Sequence, residues 1–375
     1  MGIPIVYFRS SSFNCHRFCP MQFYSEYVLG LRGQGNKKAD KGTITHKILE
    51  ICALCKKASQ DGLAVIDDED IGEVLTDNYG PEYLAAVAAR AYQFYTKKFD
   101  YHKGRHAWTD KDFEDCLNWA WKALKYRDGM FDPRNRNVVD AEPHFDFEMP
   151  FDWANYEYPE HGLKGRLALK GTIDLITDVG DGVYEVIDWK TGRRLDWATG
   201  KTKDQHKLFS DAQLRLYHYA VKQMYPDVHT FLVTIMFIND GGAFTVHFQD
   251  SDLEKTEQMI RKRYEVIQQT EEPSIIRQID PSQGWKCRKL CHAGMTTFED
   301  THVEPIVEKR VGQYTKYGET MSKCEQIRYM IKKKGIDWVT DNYTHPDHVH
   351  GKYGQGGGKI QDGNNVLDKK DKKDG

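Results

Sequence analysis

Residues 173–177 and 183–187 are two apolar β-type runs, and the stretch between them is Asp178-Val-Gly-Asp-Gly182. Two such runs on either side of a Gly/Asp cluster predict a β-hairpin. With the turn centred near Asp181, facing residues have numbers that sum to about 362, which sets Asp174 opposite Asp188. Side chains repeat every second residue along a strand, so Lys190 shares the face of Asp188.

The remaining pattern places helices and strands around this hairpin. Apolar residues recur at helical spacing over 13–31, and Pro20 within that run predicts a kink or two short helices. A second helix is expected over 43–59, with Ile44, Ile48, Ile51 and Cys55 on one stripe and His46 in its first turn. Residues 61–79 are acidic and irregular. Long aromatic-rich helices are expected over 82–101 and 111–127, so 61–131 reads as a helical insertion. After a loop over 132–139, residues 141–149 alternate as a strand with Glu142, His144, Asp146 and Glu148 on one face. Strands are then expected over 166–177 and 183–189, a basic loop over 193–207, and a helix over 210–224 capped by Ser210 or Asp211. A second hairpin, 229–238 with 243–249, turns around Asn239-Asp-Gly-Gly242, and an amphipathic helix covers 250–269. This order describes an α/β fold with a mixed central β-sheet flanked by helices. A basic-ended helix is expected over 313–334, and the Gly, His, Lys and Asp of 342–375 read as a disordered tail. The resulting domain plan is a main domain over 1–295, a helical extension over 296–341 and that tail.

Composition narrows the class only a little. The 375 residues are 39% hydrophobic, enough for a sizeable core, and the net charge of −3 offers no strong field to nucleic acid. Attraction to phosphates must therefore come from local patches. No apolar run is long enough to span a membrane, and the N-terminus lacks the pattern of a signal peptide. The expectation is a soluble, intracellular (cytoplasmic) protein with no membrane partner, whose eight cysteines are thiols or metal ligands rather than disulfides.

The chemistry gathers at the end of the first hairpin. Two carboxylates that face each other repel unless a cation bridges them or they share a proton. A divalent metal beside Lys190 is the simplest account of Asp174 and Asp188; a solvated edge with its charges outward fits the spacing equally well. The neighbouring motifs separate these readings. Going outward from the hairpin, the chain carries His46 in a helix preceded by Gly42, then Gly171-Thr-Ile-Asp174, Asp188-Trp-Lys190-Thr-Gly192 and Gln213-Leu-Arg-Leu-Tyr217. An opening Phe18-Cys-Pro20, Phe23-Tyr and Tyr27-Val-Leu-Gly-Leu31 precedes them. This order resembles the RecB-type branch of the PD-(D/E)XK nucleases, including its AddB-like and CRISPR-adaptation members, over residues 10–295.

The resemblance implies a restriction-endonuclease-like core and a DNA phosphodiesterase. It implies Mg²⁺ or Mn²⁺ held by His46, Asp174, Asp188 and the backbone carbonyl of Trp189. Lys190 would orient water or stabilise the transition state, and Gln213 and Tyr217 would position the strand or Lys190. Glu142 is a candidate for contact with the metal or its water. Arg193, Arg194, Lys201, Lys203 and Lys207 form the basic loop expected to meet DNA. Some members close this domain with a [4Fe–4S] cluster, and Cys19 with Cys287 and Cys291 falls where its ligands would begin. The spacing here departs from that pattern, since no third cysteine follows closely. A set of Cys15, Cys19, Cys287 and Cys291 supplies four thiolates, which suit an iron–sulfur cluster or, as the alternative, Zn²⁺. The expected activity is exonucleolytic, on DNA ends or single strands, in repair, recombination or phage DNA processing. No helicase P-loop is present, so an unwinding or recombination partner would be a separate chain. The rival reading is a non-catalytic DNA-binding protein with a structural or redox-sensing cysteine site.

Overall fold

The computed structural model describes residues 2–77, 80–196, 200–298, 303–306 and 320–348. The chain divides into two compact units, one of residues 1–34, 145–171 and 254–375, the other of 35–144 and 172–253. Labels below run in chain order over the longer elements of the second unit.

That unit begins with helix α1 (Lys37–Gln60). Asn36 caps it, its side chain accepting from the Ala39 N–H at 3.0 Å. The helix thus starts six residues before the expected position 43, and His46 lies in its third turn, not its first. The expected all-helical insertion opens instead with a hairpin, β1 (Val65–Asp68) and β2 (Gly72–Leu75). Helices α2 (Pro81–Lys98) and α3 (Asp110–Leu124) follow. Pro81 at the first position of α2 and the Thr109/Asp112 capping box of α3 account for their starts.

The sheet has five strands. β3 (Asn137–Ala141), β4 (Leu175–Gly180) and β5 (Val183–Lys190) are joined by β6 (Thr230–Phe237) and β7 (Gly242–Gln249) in the order β7-β6-β5-β4-β3. β5 runs parallel to β6 and the other pairs are antiparallel, so the sheet is mixed. Helix α4 (Ala212–Met224) is the crossover between β5 and β6, and Asp211 caps it by accepting from the Gln213 N–H at 2.9 Å. One face of β5 buries Ile187 and Trp189 in a core shared with α1, α2 and α3. Asp188 and Lys190 therefore point to the other face.

Two expected strands are each interrupted. Residues 141–149 do not form one strand: β3 ends at Ala141, and His144–Glu148 pairs in a separate three-stranded sheet with Tyr7–Phe8 and Ala168–Thr172. The run 166–177 is broken in the same way, between Thr172 and Leu175. The two breaks meet. The Glu142 N–H donates to the Asp174 carbonyl at 3.1 Å, the Ile173 N–H donates to the Pro143 carbonyl at 3.1 Å, and Glu142 adopts a left-handed φ of 51°. Alternation of polar and apolar residues continues through both breaks, so the pattern carried no sign of them.

In the first unit, Pro20 divides helix Ser10–Phe18 from helix Pro20–Phe23, as its position implied. Cys15 and Cys19 therefore do not share one continuous helix, although the Cys19 N–H still donates to the Cys15 carbonyl at 2.8 Å. Helix Leu253–Gln268 leads from the sheet into this unit. The helix expected over 313–334 starts at Lys323, where Ser322 and Glu325 form a capping box; residues 313–319 lie outside the described residues. Helix Ile336–Tyr343 crosses the expected start of the tail, most of which, 349–375, is also outside them. Among the described residues no helix is long and apolar enough to cross a membrane.

Candidate active site

The β4–β5 register determines where the acidic pair lies. Tyr184 faces Asp178, Glu185 faces Thr177, Val186 faces Ile176 and Ile187 faces Leu175. The next step sets Asp188 opposite Asp174, which lies just before the start of β4. There its carboxylate turns onto the neighbouring strand, Oδ2 accepting the Trp189 N–H at 2.8 Å. His46 of α1 stands 3.4 Å from the same oxygen through Nδ1. Asp174 is 8% exposed and Asp188 fully buried.

Asp188 Oδ1 is the focus of the site. It accepts from Lys190 Nζ at 2.8 Å, Gln213 Nε2 at 3.1 Å and the Tyr217 hydroxyl at 3.0 Å. Gln213 Nε2 also reaches the Tyr217 oxygen at 2.9 Å. Lys190 Nζ lies 2.7 Å from Asp188 Oδ2, completing the ion pair. Gln213 and Tyr217 can share one acceptor because they are a helical turn apart on α4. The structure thus brings His46, Asp174, Asp188, Lys190, Gln213 and Tyr217 together.

Burial and charge oppose each other throughout this cluster. Burial works against a charged His46, yet Asp174 reverses the effect and holds its pKa above the ordinary value. Burial alone would raise Asp174; the His46 charge and hydrogen bond, followed by Lys190, bring it below the usual carboxylate range. Asp188 is raised, chiefly by burial, with Asp174 adding to it and Lys190 opposing it. Lys190 is raised despite burial because both aspartates favour its charge. Tyr217 is kept protonated by burial and by Asp188.

Glu142 carries the largest imbalance. Burial, then the charges of Asp174 and Glu50, push its carboxyl up to about 9, with Lys47 opposing. Glu142 holds a left-handed φ of 51° beside the hydrogen bond of its N–H to the Asp174 carbonyl. Glu50 was not singled out from the sequence, although its place one turn after His46 on α1 was a usable signal. It belongs to a buried network in which Lys47 Nζ contacts Glu50 at 2.9 Å and Asp68 of β1 at 2.7 Å.

The donor chemistry fits a hard divalent cation: oxygen ligands on Asp174 and Asp188, with the imidazole of His46 beside them. The Lys190 ammonium is paired with Asp188. Among the described residues no three His, Cys, Asp or Glu side chains already converge as a metal cage. The same holds for the cysteines. Cys19, Cys287 and Cys291 are buried and Cys15 half-buried. Burial, then neighbouring charges that include other cysteines, raise the thiols of Cys15, Cys19, Cys291 and Cys324. Cys324 had no spacing signal in the sequence. Cys52 and Cys55 are core thiols, with Cys55 Sγ 3.6 Å from the Tyr83 hydroxyl.

The basic loop divides. Arg193 and Lys201 are exposed, and Lys207 is half-buried in the short helix Gln205–Phe209. Lys203 is paired with Asp211, the cap of α4. Arg194 stacks on Phe244 with its guanidinium 4.2 Å from the ring centre.

Two acidic side chains and a lysine gathered where β4 begins and β5 ends suit metal-assisted phosphodiester hydrolysis. Residues 10–293 match the PD-(D/E)XK nuclease superfamily, and the chain belongs to it. A solved structure from Eubacterium rectale, described as a candidate exonuclease, aligns over 74% of this chain and 87% of that one, at 11% identity and a TM-score of 0.41. No curated protein matches the chain.

Proposed function

We propose that the protein is a divalent-metal-dependent DNA nuclease of the RecB-type branch, acting as an exonuclease on DNA ends or single strands. The observation that carries this reading is the convergence of Lys190, Gln213 and Tyr217 on one buried oxygen of Asp188, with Asp174 and His46 alongside. A binding module has no need of such a convergence. His46, Asp174, Asp188 and the Trp189 carbonyl would hold Mg²⁺ or Mn²⁺, with Glu142 next to them. Bound there, the ion supplies Lewis-acid polarisation of the phosphate and lowers the pKa of its water.

The chain's own residues do the rest. Lys190 would place its ammonium toward the attacking water or the phosphate oxygens. Gln213 and Tyr217, through their hydrogen bonds to Asp188 Oδ1, hold that carboxylate in orientation. Asp174 is locked by the Trp189 N–H, so its free lone pairs keep one direction.

The test is degradation of end-labelled linear, circular and single-stranded DNA with and without Mn²⁺. Cleavage of linear and single-stranded DNA that disappears in Asp188→Ala and Lys190→Ala, with folding retained, is the expected result. Undiminished cleavage by both variants would overturn the assignment.

The cysteines of the first unit form a second, separate part of the proposal. Cys19, Cys287 and Cys291, joined by Cys15 or Cys324, would carry a [4Fe–4S] cluster or Zn²⁺ after side-chain rotation. What supports this is that buried thiols close enough to raise one another's pKa are stabilised as thiolates by a metal. Iron and zinc analysis of the purified protein decides it, and protein free of both metals refutes it.

A further inference from the structure

The loop that follows Lys190 is clasped by the β6–β7 turn. The Ile238 N–H donates to the Lys190 carbonyl at 2.9 Å, and Asn239 Nδ2 reaches the Thr191 carbonyl at 3.5 Å. The Arg194 N–H donates to Asp240 Oδ2 at 2.8 Å. Lys122 of α3 reaches Asn239 Oδ1 at 3.1 Å from the other side. The turn adopts this path because Gly241 and Gly242 take left-handed φ values of 98° and 82°.

This arrangement leaves Arg194 in an unusual state. The nearest acid, Asp240, uses its carboxylate on the backbone N–H of Arg194. The guanidinium forms no ion pair among the described residues, and its Nε is buried without a hydrogen-bond partner. Phe244 lies against the group, its ring centre 4.2 Å from the guanidinium carbon. A planar guanidinium held over a ring, with its Nε buried and no counter-ion among the described residues, is suited to a bidentate oxyanion. Lys203, the loop's other inward-facing cation, is occupied by Asp211 and cannot serve in the same way.

We propose that Arg194 grips a backbone phosphate of the nucleic-acid strand beside the one being cleaved, with Lys122 as a second cation on the same rim. This rests on the nuclease reading and adds the residue that sets how the strand is held. The ligand is the phosphodiester backbone itself, so the contact carries no base preference.

The experiment compares wild type, Arg194→Met and Arg194→Lys on a labelled single-stranded oligonucleotide in Mn²⁺, over a range of salt concentrations. Methionine keeps the apolar contact with Phe244 and removes the charge. The expected result for Arg194→Met is a KM raised about tenfold, kcat within about twofold, and a salt dependence of binding weaker by about one counter-ion. Arg194→Lys, a point charge without the fork, recovers the salt dependence and part of the KM. Wild-type KM and salt dependence in Arg194→Met would overturn this proposal while the nuclease reading stands. A wild-type protein that neither cleaves nor binds the oligonucleotide would overturn both.

Discussion

Replacing His218 by phenylalanine should remove a pH dependence from stability without touching the cluster around Asp174 and Asp188. His218 lies on α4, fully buried, with its ring stacked on Phe248 at 5.0 Å and edge-on to Phe231 at 5.6 Å. Neither ring nitrogen has a hydrogen-bond partner among the described residues. Burial lowers its pKa from 6.5 to about 4, with Arg215 and Lys222 adding to that and Asp252 and Asp250 opposing it. A histidine whose folded pKa is depressed binds more protons when unfolded. Its contribution is therefore intact above pH 6.5 and is lost as the pH falls toward 4. Between pH 7.5 and pH 5 the loss is about 2 kcal/mol. The assay is urea unfolding of wild type and His218→Phe at those two pH values. Wild type should lose about 2 kcal/mol more than the variant on acidification, whatever constant offset the larger ring introduces. Parallel losses in the two proteins would show that His218 is solvated or hydrogen-bonded in the folded state, and the reasoning would fail.

Two further outcomes follow from the second unit. Lys47→Met removes the one ammonium that balances Glu50 and Asp68 in a buried network, and should cost about 3 kcal/mol in urea unfolding; a loss under about 1 kcal/mol would mean those carboxylates are hydrated. Gly242→Ala places a Cβ 2.4 Å from the Tyr126 ring at a φ of 82°, and should cost about 1.5 kcal/mol by thermal melting. Adding Tyr126→Ala should leave the backbone part of that cost in place, and full recovery in the double variant would assign it all to the clash.

The sequence made some parts of this molecule readable and hid others for identifiable reasons. The β4–β5 register followed from one turn position, because hairpin pairing is a local property: the facing numbers sum to 362 from Tyr184 to Ile187, beyond a bulge at Val183 next to the turn. Gln213 and Tyr217 were singled out by the resemblance, and their four-residue spacing on a capped helix placed them on one face. The start of α1 was missed because Asn36 stands within a Gly-containing polar run that reads as loop. The sheet breaks at Glu142 and Asp174 were missed because alternation constrains which face is buried but not which sheet the strand joins. Lys203 was indistinguishable from Arg194 in the sequence. Only tertiary packing pairs one with Asp211 and lays the other on Phe244.

The meeting of the two strand breaks bears on how this chain could diverge. Residues 145–171 leave and return at points where His144 Nδ1 and Thr172 Oγ1 are 2.6 Å apart, just outside the two backbone bonds that join Glu142 to Asp174 and Ile173 to Pro143. To the catalytic sheet, that whole excursion is a loop whose ends are already tied. Loop-closure entropy rises only with the logarithm of length, about 0.6 kcal/mol per doubling. Insertions and replacements within the excursion therefore exert little pull on Asp174, whose place is set by the tie and not by what hangs from it. A carboxylate at such a crossing is insulated from the evolution of the segment it adjoins.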